Sequence, residues 1–309
     1  MTTWQGWQRF ATTPPPQPSA SVEPERSVEE RLACHSAFVT VRTPAIDTLT
    51  TNVRTLMILG RHQQTAARPS LIVTGPAAAG KTIALLHVGR ACHLAHTHSQ
   101  SAPAGTTHAA VPVAYVLVPP GTTAKGLAAE FARYLGIPVT ARMSQAQITD
   151  AVCHTYNHAG VRLVLIDEIH RLNPRTTTGA DTTDLLKDLT ERIGATFVYA
   201  GIDVTDTALF SGVRGAQLAA RASLVECGAF PARLGTRGPF RELIAGVEAA
   251  LDLRAHRAGT LPHHTTYLRQ RTAGRIGSLA RLIRQAAIMS ILDGAERITK
   301  TSEPFPTSR

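Results

Sequence analysis

Gly75-Pro76-Ala77-Ala78-Ala79-Gly80-Lys81-Thr82 is the stretch that decides the fold of this chain. It matches the pattern G-x-x-x-x-G-K-[ST], whose glycines let backbone N–H groups face phosphate oxygens. The apolar run Leu71–Thr74 precedes it and the helical pattern Ile83–Val88 follows. A strand before the loop and a helix after it, with the positive dipole end of the helix at the phosphate, are what such a loop requires. This context favours a phosphate-binding loop over the alternative, a Gly/Ala turn without a ligand.

The last two residues of the motif carry its chemistry. Lys81 is predicted to reach the β- and γ-phosphates, and the Thr82 hydroxyl to ligate Mg²⁺. The cofactors that this chemistry implies are ATP and Mg²⁺. The predicted nucleotide-binding residues are Gly75, Pro76, Ala77, Ala78, Ala79, Gly80, Lys81, Thr82 and Ile83.

A second motif, which is acidic, completes the predicted site. The aliphatic run Leu163–Ile166 ends in Asp167 and Glu168, about 85 residues after Thr82. Such a run predicts a buried parallel strand that delivers carboxylates to its carboxyl edge, where open α/β sheets bind ligands. Asp167 is predicted to hold the Mg²⁺ shell and Glu168 to polarise the attacking water. The pair is typical of AAA+ and RecA-like ATPases, with the acidic strand predicted beside the P-loop strand, and disfavours a kinase or GTPase.

The tetrapeptide Asp167-Glu168-Ile169-His170 also looks like the DEAH box of a helicase. Helicases of that class use two RecA-like domains, and only about 140 residues follow His170, without strands for a second one. His170 is therefore interpreted as a polar residue leaving the strand, or as a residue that couples Glu168 to a partner.

Charge indicates the kind of partner. The net charge is +10 and the pI is about 10.1, which predicts a polyanionic partner, most plausibly nucleic acid. A GC-rich coding sequence is an alternative origin of the charge, because almost all of it is arginine and only four residues are lysine. Residues 231–297 contain eleven Arg against five Asp and Glu, so the C-terminal part is the more basic.

Cysteine and histidine spacing gives no metal-site pattern. The four cysteines form no C-x-x-C pair and are interpreted as buried or neutral thiols in a reducing compartment: Cys34, Cys92, Cys153 and Cys227. Four histidines in or near a Ser/Thr/Ala/Gly-rich stretch are interpreted as loop residues rather than zinc ligands: His93, His96, His98 and His108.

The N-terminus lacks a signal pattern and no run reaches membrane-spanning length, so we expect a cytoplasmic protein that does not contact a membrane.

Alternation of strands and helices predicts the α/β class, with a five-stranded, mostly parallel sheet sandwiched by helices and a small C-terminal helical lid. Residues 1–27 are Pro-rich and predicted to be a disordered arm. Its aromatic residues, Trp4, Trp7 and Phe10, are either an anchor for another protein or exposed without a role. The predicted ATPase core covers residues 28–230, the lid residues 231–298, and a polar tail residues 299–309.

The chain resembles a known family. After the P-loop and Asp167–His170 come Val198–Gly201, Gln217–Arg221 and Gly274–Leu279. This order is similar to the TniB/TnsC group of AAA+ ATPases, relatives of IstB that assist transposases. The resemblance covers roughly residues 35–295, and the Asp-Glu-Ile-His and Gly-x-Ile-Gly-x-Leu segments make it specific.

The resemblance implies an ATP-dependent protein that binds duplex DNA, mostly without sequence preference. It implies a ring or filament of identical subunits that recruits or licenses a transposase, with a target-selection protein as a further partner. Nucleotide would lie between subunits, one of which supplies an arginine to the next. Arg221, just before the last core strand, fits that arginine finger best and Arg214 next; an ordinary surface salt bridge is the alternative for Arg221.

Two departures from the family predict slow hydrolysis, stimulated by DNA or a partner. The predicted strand that contains Phe197–Ala200 lacks the polar sensor usual at its end, for which Asp203 is a weak substitute. Gly277 stands where many relatives carry a nucleotide-sensing arginine, and Arg275 or Arg281 are the candidates to replace it.

The contacts to DNA are less determined by the sequence. Candidates are Lys125, Arg171 and Arg175, each of which has an ordinary solvated charge as its alternative.

Two other functions stay open. One is a nucleotide-gated scaffold with little turnover, which the missing sensors favour, and the other is an origin-recognition or helicase-loading ATPase, which a C-terminal winged helix would favour.

Overall fold

A computed structural model describes residues 1–15, 26–37, 40–62, 68–99, 110–172, 177–207, 210, 212–231 and 238–299. The described residues form two compact units. The first draws on Met1–Thr13, Pro44–Ala77 and Lys81–Cys227, and the second on Pro14–Thr43, Ala78–Gly80 and Gly228–Arg309.

The first unit is built on a five-stranded parallel sheet, as predicted. Its strands are β1 (Ser70–Thr74), β2 (Val113–Leu117), β3 (Leu163–Asp167), β4 (Thr196–Ala200) and β5 (Ala222–Glu226). Their order is β2-β3-β4-β1-β5, and every neighbouring pair is parallel. The acidic strand β3 therefore does not lie beside the P-loop strand β1, and that prediction was wrong. The aliphatic runs of β3 and β4 look alike in sequence, so hydrophobicity alone does not order them.

The registers bring the functional segments to one edge of the sheet. Val73 pairs with Ala200, and Ile166 pairs with Tyr199. The carboxyl ends of β1, β3 and β4 therefore lie side by side, although their sequences are far apart. This edge carries the P-loop after β1 and the carboxylates after β3.

Helices cover the sheet. Those of the first unit are α1 (Trp4–Thr12), α3 (Pro44–His62), α4 (Lys81–Ser99), α5 (Ala124–Leu135), α6 (Gln145–His158), α7 (Thr177–Arg192) and α8 (Gly212–Ala219). Helix α4 packs across β2, β3 and β4, and α3 packs against β1, β4 and β5. The strands in the middle of the sheet are fully buried, as their continuous apolar sequence predicts.

Part of the predicted disordered arm is ordered. Residues 4–12 form α1, which packs on α4 with Trp7 and Ala11 fully buried. The Trp7 ring stacks on Tyr115 at a centroid distance of 6.0 Å, so this aromatic residue serves the chain's own core. Arg90 in α4 donates from Nε to the Ala11 carbonyl at 3.0 Å, which satisfies a helix-end acceptor. Residues 16–25 of the predicted arm lie outside the described residues.

The second unit is helical. Its helices are α2 (Val28–Ser36), α9 (Pro239–Glu248), α10 (Thr260–His263), α11 (Thr265–Thr272) and α12 (Ile276–Leu292). Its core is formed by apolar faces of these helices, with Ile244, Leu279 and Ala287 almost fully buried. Helix α9 ends at Glu248, whose carboxylate accepts hydrogen bonds from the backbone N–H groups of Gly259 and Leu261.

Helix α2 groups with the second unit, whereas the sequence placed residues 28–230 together. The reason is a buried ion pair. The Arg31 guanidinium, 2% exposed, donates two hydrogen bonds to Glu296, at 2.6 and 2.7 Å. Arg31 holds the pKa of Glu296 below its usual range through these bonds. Removing Glu296 would take two charge-assisted hydrogen bonds from the buried guanidinium of Arg31, so this pair ties α2 to the segment that follows α12.

Within the described part of the chain, no helix combines the length and the apolar character that crossing a membrane requires. The polar tail predicted for residues 299–309 lies outside the described residues after Thr299.

Candidate nucleotide and catalytic site

The P-loop leaves β1 at Gly75. Its φ of 143°, and a Cβ that would lie only 2.0 Å from the Cys227 carbonyl oxygen, exclude any larger residue there. The Lys81 ammonium donates to the Gly75 and Pro76 carbonyl oxygens at 2.8 and 2.7 Å. Lys81 opens α4 and is 7% exposed, so the predicted phosphate-binding cation lies beside the loop backbone.

The charged groups that affect the pKa of Lys81 include the acidic residues of the predicted site. Burial lowers the pKa of Lys81, and the nearby charges of Cys227, Glu168, Asp167 and Asp203 oppose that shift. The charges of both predicted acidic residues therefore act on Lys81, and the carboxyl ends of β1 and β3 lie at the same edge of the sheet. Thr82, the predicted Mg²⁺ ligand, follows in the first turn of α4.

Asp167 ends β3 and is 1% exposed. Its Oδ2 accepts a hydrogen bond from the Tyr115 hydroxyl at 3.0 Å, and its Oδ1 accepts one from the Glu168 N–H at 2.9 Å. The carboxylate is thus held in place by neighbours that leave lone pairs on both oxygens. Together with the Thr82 hydroxyl it offers the hard oxygen ligands that Mg²⁺ prefers, so the residues fit the ion.

Glu168 leaves the strand in the left-handed conformation, with φ 61° and ψ 34°. A 3₁₀ turn over Ile169–Arg171 follows. The Glu168 Oε2 lies 3.0 Å from Arg171 Nε and 3.5 Å from His170 Nε2. The predicted water-polarising carboxylate is therefore engaged by two cationic or donor groups from its own turn. Sequence reasoning placed Arg171 only as a contact to DNA and did not foresee this pair.

His170 connects this turn to the end of β4. Its Nδ1 accepts a hydrogen bond from the Ile202 N–H at 3.1 Å, which leaves the proton on Nε2, facing Glu168. Where AAA+ proteins usually place a polar sensor, β4 ends at Ala200 and Gly201 follows, as the sequence indicated. Asp203, the weak substitute, is exposed and has a φ of 42°, and its charge acts on Lys81.

Arg221 lies at the opposite edge of the sheet. It directly precedes β5, and its carbonyl accepts from the Ser70 N–H at the start of β1. Its guanidinium lies 3.3 Å from the Glu191 carboxylate of its own chain, and both side chains are more than a third exposed. Arg221 is thus separated from the P-loop of its own subunit. The finger role that the resemblance implies stays a prediction, and the side chain of Arg214 lies outside the described residues.

Gly277 belongs to the second unit, which also includes Ala78–Gly80. The Gly277 N–H donates to the Ala78 carbonyl at 2.8 Å, and a Cβ on Gly277 would lie 2.7 Å from that oxygen. A side chain at this position is therefore excluded. Arg275 occupies the N-cap position of α12 without a side-chain cap hydrogen bond, and Arg281 is exposed; the sensor role of either arginine stays a prediction.

The predicted DNA contacts lie in different settings. Lys125 is exposed in the first turn of α5, where its Nζ donates to the Ala141 carbonyl at 3.3 Å. Arg171 is paired with Glu168 as described, and Arg175 lies outside the described residues. Lys125 and Arg171 both follow strands at the carboxyl edge of the sheet.

The cysteines and histidines do not extend the site. None of the four cysteines, all of which are described, forms a disulfide, and burial raises the pKa of Cys92 and of Cys153 to about 11. His93 and His96 lie buried in α4, which continues through Ser99 where a loop was predicted from about His96. The described residues contain no group of three or more His, Cys, Asp or Glu placed to hold a metal ion. His108 and the side chain of His98 lie outside them.

The family comparison decides the identity of the chain. The family described as "Bacterial TniB protein" matches residues 31–227. The chain belongs to the TniB family. The matched region of this TniB-family chain contains the P-loop, the Asp167–Glu168 pair, Arg171 and Arg221. A search of curated proteins found no match.

Solved structures show the fold of this TniB-family chain. It is similar to the Aeropyrum pernix ORC1 protein in complex with DNA, with a TM-score of 0.61 and 15% identity, over 85% of this chain and 64% of that one. It is also similar to the Aeropyrum pernix ORC2 protein in ADPNP-ADP complexes, with a TM-score of 0.59 and 16% identity. That match covers 85% of this chain and 66% of the ORC2 chain. Cdc6p from Pyrobaculum aerophilum is similar with a TM-score of 0.58 and 14% identity, over 84% of this chain and 65% of the Cdc6p chain.

These likenesses, with the sheet order and the P-loop, show an AAA+ P-loop fold. The TniB-family chain spans a little less than two thirds of the length of each of these structures.

Proposed function

We propose that this chain is a nucleotide-gated ATPase that oligomerises on duplex DNA and recruits or regulates a transposase. The observation that carries the proposal is the meeting of Lys81, Asp167 and Glu168 at one sheet edge, with Glu168 paired to Arg171. Family membership supports the transposition role. The printed descriptions of ORC1 in complex with DNA and of ORC2 with ADPNP and ADP support DNA and nucleotide as ligands of this fold.

Each site residue has one task in this proposal. The backbone of the P-loop and Lys81 would hold the phosphates. Asp167 and Thr82 would hold Mg²⁺, which neutralises phosphate charge when bound. Glu168 would orient and polarise a water molecule. Arg221 would reach the nucleotide of a neighbouring subunit, because its own P-loop lies at the other edge of the sheet.

The pairing of Glu168 with Arg171 supplies a reason for slow hydrolysis and for its stimulation. A carboxylate held at 3.0 Å by a guanidinium has one oxygen occupied, so that oxygen is not available to orient a water molecule. Arg171 is also a predicted DNA contact. A DNA phosphate that binds Arg171 would compete with Glu168 and free its carboxylate. DNA binding and ATP hydrolysis are coupled in this proposal through one arginine.

A test compares ATP hydrolysis with and without duplex DNA in the wild type and three variants. Lys81→Ala should abolish hydrolysis and ATP-dependent oligomerisation on DNA. Glu168→Gln should abolish hydrolysis and trap the DNA-bound oligomer. Arg171→Ala should raise DNA-independent turnover several-fold and remove most of the DNA stimulation. Lys125→Ala is the matched control, because it removes a basic residue at the same sheet edge without touching Glu168.

The outcomes separate the proposal from its main alternative. If DNA stimulates wild-type turnover and Arg171→Ala behaves as expected, the coupled ATPase stands. If ATP drives oligomerisation while turnover stays negligible with DNA, the nucleotide-gated scaffold is the better account, and the sensor-free end of β4 favours it. If DNA changes neither turnover nor oligomerisation, the DNA-linked function fails.

A further inference from the structure

Three arginines line a cavity at the amino edge of the sheet. Arg61 lies near the end of α3, Arg68 just before β1 and Arg162 directly before β3. The cavity has a volume of about 430 Å³, within the range of small-molecule sites. The amino edge is opposite to the P-loop, so this cavity is separate from the candidate nucleotide site of the same chain.

These guanidiniums have no acidic partner among the described residues. None of the residues that line the cavity is acidic, and no ion pair to Arg61, Arg68 or Arg162 occurs in the described part of the chain. The neighbouring segment 62–67 has no Asp or Glu in its sequence. Arg68 is held by the Gly60 carbonyl oxygen at 3.4 Å, a contact that leaves its charge uncompensated.

Other arginines of the same unit show what a structural role looks like. Arg192 donates to Asp150 at 2.6 Å and to Asp188 at 3.1 Å, and Arg221 lies beside Glu191. Those side chains are neutralised by carboxylates of the same chain. The cavity arginines differ from them because no carboxylate in the described ranges pairs with them.

A second cavity continues the first. It has a volume of about 490 Å³, shares Met57, Arg61 and Arg162 with its neighbour, and adds Arg54. Arg54 and Arg61 are seven residues apart on α3 and therefore lie on the same helix face, about two turns apart. The two cavities form one groove, which we call the arginine groove, lined by Arg54, Arg61, Arg68 and Arg162.

The charge of these arginines affects the pKa values of neighbouring groups. Burial lowers the pKa of His96, which lines the groove, and the charges of Arg162 and Arg61 lower it further. Burial raises the pKa of the Cys92 thiol, and the charges of the same two arginines act to lower it. Among the described residues, the charges of Arg61 and Arg162 therefore act on the groups around the groove.

We propose that the arginine groove binds phosphate groups, and that its ligand is the backbone of a nucleic-acid strand. Guanidiniums bind phosphate in a bidentate manner, and several of them along a groove suit a chain of phosphates better than one isolated anion. DNA as the source rests on the proposed function, whereas phosphate as the ligand chemistry does not. The groove would be a contact additional to those predicted at the carboxyl edge.

The main experiment measures binding of a fluorescein-labelled 30-base-pair duplex by anisotropy over a range of NaCl concentrations. The variant Arg61→Gln/Arg162→Gln should bind about tenfold more weakly, and its plot of log affinity against log salt should be less steep by about two. The control Arg9→Gln/Arg257→Gln removes the same charge from two exposed arginines outside the groove and should change neither value. ATP hydrolysis without DNA should stay at the wild-type rate in both variants.

A second arm uses inorganic phosphate and the imidazole resonances of His96, assigned with a His96→Gln variant. Phosphate bound in the groove should raise the pKa of His96 in the wild type but not in Arg61→Gln/Arg162→Gln. If phosphate has this effect while DNA binding does not depend on the two arginines, the groove takes free phosphate and the nucleic-acid source is wrong. If neither DNA affinity nor the His96 titration depends on them, the groove is an ordinary solvated surface and the proposal is overturned.

The two proposals fail separately. A wild type that does not bind DNA would remove the DNA-linked function, while the phosphate arm still decides whether the groove is a site. A wild type that binds DNA equally well without Arg61 and Arg162 would leave the function intact and remove only the groove as its contact.

Discussion

His170 is the residue that joins the two strand ends of the candidate site. Its Nδ1 is fixed by the Ile202 N–H and its Nε2 faces Glu168 at 3.5 Å. We infer that it positions Glu168 without touching the substrate. His170→Ala should therefore lower kcat about tenfold and leave the KM for ATP unchanged, because the ground-state contacts of the nucleotide remain.

Steady-state kinetics with saturating DNA would measure this effect. His170→Asn should recover part of the lost rate, since its side-chain oxygen can still accept from the Ile202 N–H. His154→Ala, on the exposed side of α6, is the matched control. An equal loss in kcat and in ATP affinity would instead indicate that His170 only supports the local fold.

At the residue scale, prediction from sequence is strongest where chemistry fixes the spacing of the residues. A phosphate loop must follow one strand and its acidic partners another, so the sequence alone selected Lys81, Asp167 and Glu168, and the structure places them together. Their roles stay predictions. The Tyr115 hydroxyl on Asp167 and the Arg171–Glu168 pair were not predicted, because they depend on strand order and on the left-handed backbone at Glu168.

At the scale of elements, α1 shows how packing overrides a weak local signal. Its sequence is only nine residues long, and isolated helices of this length are marginal in water. It is stabilised because Trp7 packs directly over Gly89 of α4 and beside Leu165. Only the absence of a side chain at Gly89 makes this contact possible, and no pattern within residues 1–27 reveals that.

Gly89→Ala should therefore displace α1. The new Cβ would lie 2.6 Å from Trp7 Cη2 and 2.6 Å from Leu165 Cδ1, so one of them must move, at a cost of about 1–3 kcal/mol for overpacking. Both tryptophans of the chain, Trp4 and Trp7, lie in α1, so tryptophan fluorescence reports on this helix alone. We expect the emission maximum to shift to the red.

Gly126→Ala, in α5, is the control. Its Cβ would meet only the Thr122 and Thr123 side chains, at 3.3 and 3.4 Å, so the emission should not change. An unshifted spectrum for Gly89→Ala as well would mean that α1 does not depend on close packing over Gly89.

The order of strands is the other lesson at this scale. The number of strands and their parallel direction follow from alternation with helices, and both were predicted correctly. The position of β4 between β1 and β3 was not, because equally apolar strands satisfy the same burial in any order. What places them is the set of helices on each face, which local pattern does not specify.

For the whole molecule, the position of Arg221 has a consequence. It directly precedes β5 at the amino edge, while Lys81 and Asp167 lie at the carboxyl edge. A residue so placed can act on nucleotide only in another subunit, through a head-to-tail interface. The Glu191 pair of Arg221 is exposed and therefore weak, so it does not prevent such a contact.

Mixing two inactive variants would test this arrangement. Arg221→Ala keeps an intact P-loop and Glu168, and Glu168→Gln keeps an intact Arg221. In an equal mixture, about a quarter of the head-to-tail interfaces would combine the two intact halves, so turnover with DNA should recover to roughly a quarter of the wild-type rate. A mixture of Glu168→Gln with Lys81→Ala is the control, because both lesions affect the same half-site and no interface regains it. If the first mixture stays as inactive as its components while Arg221→Ala alone is inactive, Arg221 does not complete a neighbour's site, and its role is confined to the Glu191 pair of its own subunit.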